Sequence, residues 1–116
     1  MPSKNPSQRL RDIVDNVDAI TSFVLGMDRD EFAMDQKTVY AVVRGLEIIS
    51  EASRRLPDDL KARHRAIDWV AVSAAGNVYR HEYEGVDVDL IWRTVKHDLQ
   101  VLRDVAANEL DCLDRE

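Results

Sequence analysis

Residues 67–87 read IDWVAVSAAGNVYRHEYEGVD. Ile67, Val70, Ala71, Ala74, Ala75 and Val78 recur at the spacing of one helical face. Most of them are small, which lets a second helix approach closely. The spacing carries on from Val78 to His81, so the histidine projects from, or beside, a face expected to be buried. Gly85 is a suitable helix terminator. Asp87 can cap the next helix, and Asp89 suits its positive first turn. A polar run that stays in helical register predicts a helix end rather than a surface loop. That reading makes the chain a stack of helices.

The flanking sequence extends the pattern. After a polar lead-in over residues 1–7, Leu10, Ile13, Val14, Val17, Ile20 and Val24 share a helical face, with Gly26 as its expected C-cap. Residues 28–34 predict a short turn or helix with Phe32 as a plug. Asp35 can cap a third segment, in which Val39, Val42, Val43, Leu46, Ile49, Ser53 and Leu56 share a face. Tyr40, Arg44, Ile48, Glu51 and Arg55 gather on the opposite face. That face fits either a partner surface or ordinary scatter of exposed apolar residues. Pro57 ends the helix, and PDDLKARHRA reads as a basic-edged connection. Ile91, Val95, Leu99, Leu102, Val105 and Ala106 mark the last helix. The expectation is an all-α, antiparallel bundle of four long helices and one short one, forming a single domain over residues 8–113.

Composition narrows the class. The chain has 116 residues, 45% of them hydrophobic, and only four Gly and three Pro. A core of aliphatic residues with few breakers favours helices. The net charge of −6 argues against a protein that coats nucleic acid non-specifically, though a local basic site remains open. The single cysteine, Cys112, cannot form an internal disulfide or a Cys-rich zinc site. No pair among the histidines has metal-ligand spacing, and no Gly-rich phosphate loop is present. Neither a metal nor a cofactor is expected. The opening MPSKNPSQRLRD has no apolar signal region, and no stretch approaches a membrane span, so a soluble cytoplasmic protein is expected.

The candidate chemistry lies in GNVYRHEY. Asn77 and His81 are four apart and can meet one ligand. Histidine suits proton transfer near neutral pH, and Arg80 could hold a phosphate. On spacing alone, a capping cluster prevails, because His and Arg near a helix C-terminus interact well with its dipole.

Three segments resemble a known family. RGLEIISEASRRL (44–56), IDWVAVSAAGNVYRHEYEGVD (67–87) and LIWRTVKHDL (90–99) follow, in order, the patterns of the HepT-like toxins of the HEPN superfamily. The resemblance covers nearly the whole chain. It implies a homodimer whose motif helices line a shared cleft, and an RNA substrate cleaved without a metal. It also implies a minimal nucleotidyltransferase antitoxin that silences the toxin by AMP transfer. No DNA and no membrane partner is expected.

Carried across, His81 is the catalytic histidine, Asn77 matches the family asparagine, and Tyr83 is the residue modified by AMP. Arg44 and Glu51 fall in the matching third segment as cleft or supporting residues. One position departs. Gly76 stands where the family has arginine. Arg80 is the obvious substitute, yet neighbouring residues on a helix point about 100° apart. Arg80 and Arg44 therefore both stay open as the phosphate-binding cation. The departure leaves two functional readings: a ribonuclease toxin, or a binding subunit that has lost cleavage but still partners a nucleotidyltransferase. A plain helical domain is the third.

Overall fold

A computed structural model describes residues 5–81 and 87–115, and the backbone alone for residues 76–81. The expectation for Gly85 lies outside the described residues. The described chain is all-α. Its helices are α1 (Ser7–Phe23), α2 (Arg29–Met34), α3 (Gln36–Arg54), α4 (Asp58–Ala62), α5 (Trp69–His81), α6 (Val88–Arg93) and α7 (Leu99–Asp114). A π-helical turn, Thr94–Asp98, joins α6 to α7. The last helix is thus one long rod with a π insertion, and the long elements are the four expected. The connection after Pro57 holds a further turn of helix, α4, which the basic-edged sequence did not announce.

Local chemistry accounts for the boundaries. The C-cap of α1 is Val24 rather than Gly26, and Gly26 follows in the turn at φ +80, a conformation open to glycine at little cost. Asp28 and Glu31 form a reciprocal capping box at the start of α2. Asp35 accepts from the backbone N–H of Thr38 at 3.2 Å and from its hydroxyl at 2.9 Å. Asp87 accepts from the N–H of Leu90 at 3.0 Å, as its position suggested.

The core lies between α1, α3 and the last helix. Leu10, Ile13, Val17 and Ile20 of α1 meet Val42, Leu46 and Ile49 of α3 and Leu99, Leu102 and Ala106 of α7. Gly45 brings α1 and α3 close: a β-carbon there would stand 2.8 Å from Cδ1 of Ile20. Phe32 is fully buried, and its ring packs against Trp92 with centroids 5.2 Å apart. This plug seats α2 across the start of the last helix, and an Arg29–Asp89 pair at 2.6 Å ties the same corner.

At the opposite end, α4 is clamped to α7. Arg63 donates to both carboxylate oxygens of Glu109, at 3.2 and 2.9 Å, and His64 Nε2 lies 2.7 Å from the same group. The Trp69 indole N–H donates to the carbonyls of Lys61 and His64. These contacts anchor the base of α5 beside the C-terminal end of α3. The chain re-enters at Asp87 beside α2, at the other end. The helix α5 therefore runs antiparallel to α3.

The clamp sets a pH dependence. The Arg63 guanidinium, and then His64, hold the Glu109 carboxyl below its ordinary 4.5. A depressed carboxylate contributes stability above its unfolded pKa and loses it as pH falls through the folded value. Glu109→Gln should cost about 1–3 kcal/mol near neutral pH. Urea unfolding should show that difference in full above pH 4.5 and shrinking below it. A difference that stays constant down to pH 3 would contradict this role.

Candidate functional site

The seam between α3 and α5 positions the candidate residues. Ser50, buried in α3, donates its hydroxyl to the Val72 carbonyl at 2.7 Å. Arg54 donates to the next carbonyl, Ser73, and also to Glu51. Two consecutive carbonyls in the middle of α5 are thus gripped from α3. At the N-terminal end, Asp68 caps the helix by accepting from the N–H of Ala71 at 3.1 Å.

That grip rotates α5 away from the expected orientation. Val72, Ala75 and Trp69 pack against the core. Val70 is 81% exposed, and Ala71 and Ala74 are exposed as well. Val70, Ala71 and Ala74 of the small-residue face are therefore open in the single chain, contrary to the burial expected from their spacing, while Ile67 and Ala75 of the same face meet the core. The physical reason is that α5 is apolar on several sides. Its seat is chosen by the polar grip of Ser50 and Arg54, which local spacing does not reveal. Helical register carries the open stripe of Val70 and Ala74 onward through positions 77 and 81. Asn77 and His81 thus sit on the outward side of α5 by register. Position 80 falls on the flank shared with Ser73. The side chains of Asn77, Arg80 and His81, and the whole of Tyr83, lie outside the described residues.

Beside the stripe runs a groove of about 630 Å³ between α5 and the last helix. Leu46, Ile49 and Ser50 form its floor, and Thr94, His97 and Asp98 of the π turn stand along one wall. Sequence reasoning did not find this groove, because the π turn that shapes it has no local signature.

The two α3 candidates differ in how they are held. Glu51 is engaged by Arg54 and Arg55, which hold its carboxyl below its ordinary range; Arg55 Nε lies 2.9 Å away. It serves as an anchor for neighbouring cations. The Arg44 side chain is 70% exposed, and its contact with Glu47 is long, at 3.9 Å. Such a surface pair holds the guanidinium weakly. The basic segment at 54–65 is largely committed: Arg54 and Arg55 to Glu51, Arg63 to Glu109 and Asp59. Among the described residues, no three His, Cys, Asp or Glu side chains gather in a way that could hold a metal ion. No described helix is long and apolar enough to cross a membrane.

An all-α bundle carrying a histidine motif on a half-open helix is compatible with a HEPN-type helical domain. Comparison with known proteins makes the assignment specific. The family model described as "Ribonuclease HepT-like" matches residues 13–108. The chain belongs to the HepT-like ribonuclease family. It is 39% identical over 94 residues to "Probable ribonuclease HepT" of Thermococcus cleftensis, spanning 81% of this chain and 86% of that one. Two chains of Methanocaldococcus jannaschii, named as candidate RNases, are also similar. One is 36% identical over 82% of this chain and 78% of its own, the other 31% identical over 89% and 94%. No solved structure matches.

Proposed function

We propose that this protein is the toxin of a toxin–antitoxin pair, a metal-independent endoribonuclease that acts as a homodimer and is silenced by AMP transfer to Tyr83. The observation that carries the reading is the open stripe of α5. Val70, Ala71 and Ala74 lie uncovered, and helical register leads that stripe to Asn77 and His81. A second copy packed on the stripe covers the apolar surface and brings two sets of polar residues to one two-fold cleft.

In that cleft, His81 takes the proton from an RNA 2′-hydroxyl or returns one to the leaving 5′-oxygen. The 2′-oxygen bonds to the adjacent phosphorus as the bond to the 5′-oxygen breaks. Asn77 orients the phosphate or the imidazole. A cation, Arg80 or Arg44, stabilises the charge developing on the phosphoryl oxygens.

His81→Ala should lower cleavage of single-stranded RNA about 10²–10⁴-fold and leave the mass in solution unchanged. If Arg80 has replaced the family arginine, Arg80→Ala should cost a similar factor and Gly76→Arg should add little. Robust cleavage indifferent to His81→Ala would overturn the reading. The second reading, a binding subunit without cleavage, rests on Gly76. Under it the wild-type chain is inactive and Gly76→Arg raises its activity.

Silencing follows from charge and bulk. A minimal nucleotidyltransferase, the antitoxin, would place AMP on Tyr83: the phenolic oxygen bonds to the α-phosphorus of ATP, pyrophosphate leaves, and the phenolic proton is lost. The new phosphodiester competes for the cations beside His81, and the purine blocks RNA entry. Incubation with ATP, Mg²⁺ and the partner enzyme should add AMP mass to the wild type and none to Tyr83→Phe. A gain that persists in Tyr83→Phe would place the modification elsewhere.

A further inference from the structure

We infer that Lys37, Tyr40 and Arg44 form a ledge on α3 that binds single-stranded RNA beside the candidate cleft, with the Tyr40 ring stacking on one base and the two cations on neighbouring phosphates. The inference rests on the ribonuclease reading and extends it to a surface outside the histidine motif.

Three observations carry it. The first is exposure and spacing. Lys37, Tyr40 and Arg44 follow one another at steps of three and four, so they share one outward face of α3. Tyr40 is 62% exposed, a large aromatic surface left in water, and the Gln36 side-chain amide donates to its hydroxyl at 3.1 Å. That bond ties the ring tip to the helix and leaves the ring surface open.

The second is charge commitment. Arg54 and Arg55, further along α3, are held by Glu51. Arg44 has only the 3.9 Å contact with Glu47. A loosely held guanidinium is available to a phosphate at small cost, and Arg suits that geometry.

The third is placement. Arg54 reaches across the seam to the Ser73 carbonyl, which marks one flank of the α3–α5 pair. Tyr40 and Arg44 lie back along α3 from Arg54, within about a quarter turn of it. Positions 77 and 80 lie onward along α5 from Ser73. Because the helices are antiparallel, the two sets converge at the same end of the pair.

Cation, aromatic and cation in a row match the requirement of single-stranded nucleic acid, whose bases offer stacking faces and whose backbone offers regular negative charge. The ledge accepts any base, so it supplies affinity and direction rather than sequence choice.

The test is binding of a fluorescent oligoribonucleotide carrying 2′-O-methyl sugars, which cannot be cut, followed by anisotropy at several salt concentrations. Tyr40→Ala should weaken binding roughly 5- to 150-fold, the range of one lost stacking contact, and Tyr40→Phe should retain most of the affinity. Arg44→Gln and Lys37→Gln should each reduce the slope of log affinity against log salt by about 0.7, the single-strand value for one phosphate contact. Tyr40→Ala binding as wild type, or Tyr40→Phe losing as much as Tyr40→Ala, would overturn the ledge. A Tyr40→Ala change in solution mass with RNA affinity intact would make the face a protein contact and overturn it equally. Wild type that cuts RNA while the variants bind normally sinks the ledge alone. Wild type that binds but never cuts sinks the catalytic reading and leaves the ledge standing.

Discussion

The grip of α3 on two successive carbonyls of α5 governs the rest of the molecule. Ser50 and Arg54 each donate a side-chain hydrogen bond to a backbone acceptor that already belongs to a helix. Such bonds add orientation that apolar packing alone does not, because an aliphatic face tolerates rotation and a directed donor does not. With Val72 and Ala75 turned inward, the stripe through Val70 and Ala74 must face outward. The same rotation decides where register carries Asn77 and His81. A small contact in the seam thereby sets the direction of the end that carries the candidate site.

Most of the fold was legible in the sequence. The aliphatic stripes of α1, α3 and α7 stand out because polar residues fill their other sides, so period and burial agree. Gly26, Asp35 and Asp87 marked boundaries through chemistry that acts within a few residues. The orientation of α5 was not legible, since alanine and valine occur around much of its circumference. The clamp of Arg63 and His64 on Glu109 joins residues 46 and 45 apart, and no local pattern foretells it. The π turn escaped for the same reason: Ile91, Val95 and Leu99, at steps of four, also fit an unbroken α-helix.

The candidate site divides along a similar line. The sequence located the motif on a helix end, and the backbone places positions 77, 80 and 81 there. Arg44 and Glu51, alike by position on α3, proved unlike in commitment: Glu51 pairs with two arginines, whereas Arg44 remains loosely held. Charge density in the sequence was a poor guide to free charge. The segment at 54–65 is rich in cations, yet its arginines at 54, 55 and 63 are paired. The exposed and lightly partnered cations of α3 stand instead at the end of the seam where the motif lies.

The proposed two-fold cleft depends on the open α5 stripe being covered by a second copy of the chain. Light scattering at micromolar concentration tests it most directly, with Val70→Asp measured beside the wild type. Val70 is 81% exposed, so the aspartate costs the single folded chain little, while in a symmetric contact it places charge in the apolar seam twice. Wild type should scatter at twice the chain mass of 13.3 kDa, and Val70→Asp at the single mass with its helical content intact. A wild-type monomer, or a dimer indifferent to Val70→Asp, would contradict that cleft.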